Sequence, residues 1–154
     1  MLIQANHITL EYDTFGNSDQ EPLLLISGLN TPMTRWNQSF CEKLAQCGYY
    51  VIRYNNRDIG RSERFNQYRS SGILHLLAAR FFGIKLKLPY TLQDMVQDSF
   101  ALLDKLNIEK AHIVGRSMGG VIAQLCASEH PERVLSLTVL MSTTGNIKLP
   151  APSC

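Results

Sequence analysis

Ala111-His112-Ile113-Val114-Gly115-Arg116-Ser117-Met118-Gly119 is the stretch that decides the fold of this chain. An apolar run with strand character leads into a glycine-x-serine-x-glycine turn, and the residues after it read as a helix. A serine at the apex of such a sharp strand-to-helix turn has a strained backbone. The positions two before and two after it must therefore lack side chains. Its hydroxyl then projects beyond the end of the strand, and the positive end of the following helix dipole faces any negative charge that develops there. A bare G-x-S-x-G occurs by chance; its place between a strand and a helix is what gives the motif meaning. Ser117 is the candidate nucleophile.

Working outward, the chain alternates strand and helix patterns. Leu2–Ala5 and Ile8–Tyr12 suggest an opening antiparallel pair, and Gly16-Asn17-Ser18-Asp19 is a turn cluster. Leu23–Ile26 is a continuous apolar run, as expected of a parallel strand covered on both faces. A helix from about Thr34 to Gln46, ended by Gly48, and a strand over Tyr50–Tyr54 follow. Asn55–Ser62 is a polar loop, and residues 73–83 read as a helical insert. Thr91-Leu92-Gln93-Asp94 is a capping box opening a helix with an apolar stripe of Leu92, Met95, Val96, Leu102, Leu103 and Leu106. The elbow strand, its helix and a last strand over Val134–Met141 complete the order. This pattern predicts an α/β protein with a mostly parallel sheet flanked by helices, its chemistry at the carboxyl ends of the strands, where Ser117 lies.

The 154 residues suit a single domain, and 45% apolar content is enough for a core. A net charge of +2 with mixed signs gives no basic stripe for nucleic acid or an anionic membrane surface. Leu2–Ala5 is too short for a signal peptide, and the apolar-rich region from Ile73 to Leu88 is broken by His75, Arg80, Lys85 and Lys87. Cys41, Cys47, Cys126 and Cys154 lack metal-ligand spacing. They read as buried free thiols of a cytoplasmic protein, with no metal or cofactor expected.

A serine nucleophile needs a histidine base and a carboxylate, which in this architecture follow it in the order Ser, Asp or Glu, His. Downstream of Ser117 the acidic residues are Glu129 and Glu132 and the histidine is His130, all at the far end of the elbow helix. A helix of that length carries His130 roughly 18 Å from the serine. His112 within the elbow strand reads as a buried, hydrogen-bonded residue, His7 lies away from the site, and His75 could reach it only by a fold-back. Asp58 reads as a turn cap or the partner of a loop arginine, and Trp36 and Phe40 as core. Arg116 is either solvated or a contact for a carboxylate substrate.

Taken together, the chain resembles the N-terminal part of the α/β-hydrolase fold superfamily. Beside the elbow, Ser27-Gly28-Leu29 resembles the His-Gly-x that supplies an oxyanion-hole amide. Asn55-Asn56-Arg57-Asp58-Ile59-Gly60-Arg61-Ser62 resembles the Asp-x-Arg-Gly-x-Gly-x-Ser loop. With Pro89-Tyr90-Thr91-Leu92 and Met141-Ser142-Thr143-Thr144-Gly145, the wording is most similar to the branch containing aclacinomycin methylesterase and related carboxylic-ester hydrolases.

The resemblance implies that Ser117 attacks the carbonyl of a small-molecule ester while the N–H groups of Leu29 and Met118 hold the oxyanion. Ser27 stands where the family has histidine, and Asn55 where it has aspartate. It further implies a fold truncated after the sixth strand, before the cap and the strands that carry acid and histidine; Ser142–Lys148 contains no carboxylate. The alternative is a catalytically inactive remnant or a binding and assembly module. Either way the last strand should offer an open edge, a route to a homo-oligomer in which Thr138 faces the partner.

Overall fold

The computed structural model describes residues 1–65 and 89–144. The insert expected over 73–83, His75 and Cys154 lie outside the described residues. Strand β1 (Leu2–Ala5) turns into β2 (Ile8–Phe15) through Asn6 and His7, both at positive φ, the two-residue hairpin geometry that matches strand twist. Then come β3 (Glu21–Ile26), α1 (Gln38–Gln46), β4 (Tyr49–Tyr54), α2 (Leu92–Lys105), β5 (Ala111–Arg116), α3 (Met118–Glu129) and β6 (Val134–Leu140). The six strands form one sheet in the order β1-β2-β4-β3-β5-β6. The β1–β2 and β2–β4 pairs are antiparallel, and β4–β3, β3–β5 and β5–β6 are parallel.

Period-two alternation divides the central strands between two faces. Leu24, Ile26, Ile52, Tyr54 and Ile113 bury one face beneath α2 and α3, against Val96, Leu102, Leu103, Ile122 and Ala123. Leu23, Leu25 and Val51 bury the other with Trp36 and Cys41. The capping box forms as read: Thr91 Oγ1 accepts from Asp94 N–H, and the Asp94 carboxylate accepts from Thr91 N–H. The bonds that the carboxylate accepts from the Thr91 N–H and, at 2.8 Å, from the Thr91 hydroxyl hold the Asp94 carboxyl below its usual range.

Three local expectations need correction. The helix expected from Thr34 begins only at Gln38, after a separate 3-10 turn over Met33–Arg35. Trp36 is buried, its carbonyl accepts from the Arg53 guanidinium, and Asn37 caps α1 by accepting from Phe40 N–H at 2.8 Å. Cys41 and Cys126 are buried free thiols as expected, whereas Cys47 is free but exposed.

The third correction concerns β6, an edge strand whose residues from Leu135 to Leu140 are all exposed. Leu140 C=O accepts from Ser117 N–H across to β5, and Leu140 is paired with Arg116. Alternation then points the N–H groups of Thr138 and Ser136 toward β5 and leaves those of Leu137 and Val139 on the open edge. Thr138 is not the outward donor. The irregularity in pairing beside Ala111/His112 shifts the ladder by one residue and so sets this phase.

Candidate active site

The strand-to-helix turn after β5 places Ser117 at φ 55° and ψ −124°, outside the basins an L-residue ordinarily occupies. Its flanking glycines are sterically required. A Cβ on Gly115 would collide with the Gly119 carbonyl, and one on Gly119 would run into the backbone carbonyls of Ile26 and Ser27. Elbow and β3 loop are therefore in backbone contact.

Hydrogen bonds fix the turn from both sides. Ser117 N–H donates to Leu140 C=O at 3.0 Å, and Ser117 C=O accepts from Gly120 N–H at 2.8 Å and from Ser142 Oγ at 2.6 Å. Asn56 Nδ2 donates to Ser27 C=O at 3.0 Å, tying the β3 loop to the loop after β4. Neither Ser142 nor Asn56 stood out in the sequence as a positioning residue. Their partners are remote along the chain, and no local pattern marks such bonds.

Leu29 sits just beyond Gly28 on the β3 loop, with its side chain largely exposed, and Met118 opens α3. Neither N–H has a hydrogen-bond partner among the described residues. Ser27 Oγ is buried without a partner there. Asn55 takes two roles at once: Oδ1 accepts from Met33 N–H at 2.7 Å, and Nδ2 donates to Glu11 at 2.7 Å. Glu11 also accepts from the backbone and guanidinium of Arg61. Partial burial opposes ionisation of Glu11, but these donors outweigh it and hold the carboxyl below its usual value.

Two cavities flank Gly28. One, of about 140 Å³, is lined by Leu29, Asn56, Arg57, Asp58, Tyr90, Met95 and Met118 among others. In it Asp58 accepts from Phe65 N–H at 2.7 Å and Tyr90 hydroxyl at 2.6 Å, so it caps the turn. Burial, then the Asp58 carboxylate, pushes the Tyr90 hydroxyl pKa well up, keeping it a donor. The loop arginine Arg57 pairs with buried Asp98 instead, by bonds of 2.6 and 2.8 Å. The second cavity, of about 170 Å³, is lined by Gly28, Thr31, Arg35, Arg116 and Ser117.

No described histidine or carboxylate is hydrogen-bonded to Ser117. His130 lies past the far end of α3, edge-on to Phe100 at 4.9 Å and 3.6 Å from Glu132. His112 shares a 2.6 Å hydrogen bond with Ser136, and His7 belongs to the β1–β2 turn. Trp36 is core as read, while Phe40, stacked on it, is exposed. Among the described residues no three His, Cys, Asp or Glu side chains converge as a metal would require. No helix there is long and apolar enough to cross a membrane.

A mostly parallel sheet thus carries a strained serine on the turn between β5 and α3, facing the β3 loop. Residues 21–152 match the alpha/beta hydrolase fold family, and the chain belongs to it. It is 37% identical to rhodomycin D methylesterase DauP of Streptomyces sp. (strain C5) over 150 residues, which are 97% of this chain and 44% of that protein. It is 31% identical to 3-oxoadipate enol-lactonase 2 of Acinetobacter baylyi over 145 residues, 94% of this chain and 45% of the relative. A carboxylesterase structure from the thaumarchaeon Nitrososphaera gargenis superposes with TM-score 0.72 at 25% identity, covering 94% of this chain and 46% of the other. The chain thus spans less than half the length of these relatives.

Proposed function

We propose that this chain carries the nucleophile and the oxyanion-binding amides of a carboxylic-ester hydrolase. The observation that carries the reading is the backbone of Ser117, held at positive φ where Gly119 leaves no room for a side chain. Strain of this kind costs about 1–3 kcal/mol and is retained where it presents a reacting group. In the proposed reaction Ser117 Oγ bonds to the ester carbonyl carbon as its proton passes to a base. The carbonyl oxygen becomes an oxyanion accepting from Leu29 and Met118 N–H at the positive end of α3. Collapse expels the alcohol, which takes up that proton, and water then releases the acid from the acyl-serine.

The base and its carboxylate are proposed to belong to the length of the relatives that this chain does not span; the methylesterase and lactonase relatives support an ester substrate of small-molecule size. Ser117 in the 154-residue chain is then a poorly activated alcohol, and without a base to activate water its acyl form accumulates.

The test is p-nitrophenyl acetate with the purified chain, followed by intact-mass and peptide mapping. A slow gain of one acetyl group on Ser117, absent in Ser117→Ala and turned over faster when imidazole is added as a diffusible base, is expected. Robust turnover without imidazole that vanishes in Ser117→Ala would mean the chain supplies its own base. Acetylation spread over lysines, with Ser117 untouched, would overturn the nucleophile assignment.

A further inference from the structure

Resting on the assignment of Ser117 above, we infer that Arg35 and Arg116 form an anion subsite beside the nucleophile, so that the ester substrate carries a carboxylate. The two guanidiniums come from separate elements, the turn after the β3 loop and the last residue of β5. Arg35 and Arg116 line one cavity of about 170 Å³ together with Gly28, Thr31 and Ser117, and no acidic residue lines it. The other arginines of the described residues are engaged. Arg53 pairs with Asp13, Arg57 with Asp98, Arg61 with Glu11 and Arg133 with Asp104, while Arg64 donates to Gly60 C=O. Arg35 and Arg116 have no hydrogen bond or ion pair from their side chains among the described residues, and both residues line the cavity that Ser117 also lines.

Two unpaired cations on one small cavity repel each other unless an anion lies between them, and guanidinium is the donor best matched to a carboxylate. The start of α3 at Met118 adds a positive dipole end to the same place. A neutral ester would leave both guanidiniums without a counter-charge at the reacting centre. The carboxylate could sit on the acyl or the alcohol part, and matched ester pairs separate the two. Mono-4-nitrophenyl glutarate against its methyl ester places the charge on the acyl side. 4-Acetoxybenzoate against methyl 4-acetoxybenzoate places it on the leaving side.

The rate at which Ser117 gains an acyl group is read by intact mass. The anionic member of at least one pair is expected to react about tenfold faster, the equivalent of one charge-assisted contact. That ratio falls toward one in Arg116→Gln and in Arg35→Gln, is kept in Arg116→Lys, and is unchanged in Lys110→Gln, the same charge change made at an exposed site. It also falls when ionic strength is raised from about 0.1 M to about 1 M, which shortens the screening length from about 10 Å to about 3 Å. Ratios near one for both pairs in the wild-type chain, or ratios indifferent to both arginine substitutions, would overturn the subsite.

Monomethyl glutarate binding to Ser117→Ala by calorimetry separates this proposal from the one beneath it. Binding lost on adding Arg116→Gln upholds the subsite even where no acyl-serine forms. Binding untouched by Arg116→Gln refutes it whatever Ser117 does.

Discussion

Replacing Asn55 by aspartate should destabilise this protein. Asn55 Nδ2 donates to a Glu11 carboxylate oxygen at 2.7 Å, and Asn55 is buried. In Asn55→Asp a second carboxylate would meet the first at that distance. Two unit charges there repel by about 6 kcal/mol at an effective dielectric constant of about 20. The protein escapes the full penalty by keeping one proton on the pair, which at pH 7 costs about 1.4 kcal/mol for each pH unit above a carboxyl pKa near 4. That ceiling is about 4 kcal/mol, and rotation of the new side chain lowers it, so a loss of about 2–4 kcal/mol is expected.

The pH dependence has a definite sign. In the wild type Glu11 titrates below its usual value. It therefore contributes stability that is present above the unfolded pKa and lost as pH falls through the folded one. In Asn55→Asp the pair's proton is held more tightly than in the unfolded chain, so its contribution is lost as pH rises. The gap between the two proteins should be widest near neutrality and close toward about pH 4, where a shared proton turns repulsion into a hydrogen bond. Urea unfolding of both proteins across this range measures it. Equal stability at pH 7, or a gap that does not change with pH, would refute the reasoning.

Gly119→Ala should cost about 3 kcal/mol or more or fail to fold, since its Cβ meets two backbone carbonyls of the β3 loop that cannot yield; urea melts check this, with Ala127→Gly on the same helix costing only about 1 kcal/mol. Iodoacetamide at pH 8 should modify Cys47 quickly and leave Cys41 and Cys126 intact until urea is added, because burial pushes the Cys126 thiol up to about 12 and also raises that of Cys41; peptide mapping reads the order. We also propose that the open edge of β6 joins two copies of the chain antiparallel about a two-fold axis. Light scattering at micromolar concentration should then show a dimer that Leu137→Pro, lacking an outward N–H, dissociates; a monomeric wild type would refute it.

What could be read from the sequence was local. The elbow glycines, the capping box at Thr91 and the apolar runs of β3 and β5 announce themselves within a few residues, because sterics and short hydrogen bonds dictate them. The start of α1 could not be read that way, since burial of Trp36 and the reach of Arg53 to its carbonyl depend on a strand far along the chain. The direction of the Thr138 N–H was hidden for a related reason: one irregular pair beside Ala111 sets the phase of the whole β6 ladder. Asn55 looked like a lost charge and is instead an amide required by Glu11. The candidate nucleophile was legible; the groups that hold it were not.

Those holding groups change how β6 should be viewed. A serine kept at φ 55° stores about 1–3 kcal/mol, and each hydrogen bond that restrains it returns about 1 kcal/mol net. Four such bonds form: Ser117 N–H to Leu140 C=O, and Gly120 N–H, Val121 N–H and Ser142 Oγ to Ser117 C=O, the Val121 bond being the longest at 3.4 Å. Two of the four come from β6 or the residues just after it. The strain at Ser117 is thus balanced in equal number from its own helix and from the edge of the sheet, the strand with the least side-chain burial. Ser142→Ala should then reduce stability by about 1 kcal/mol, and it should slow Ser117 acylation more than that loss of folded population allows. Acylation measured where both proteins are fully folded separates the two effects. An unchanged acylation rate there would mean that Leu140, Gly120 and Val121 hold the elbow without Ser142.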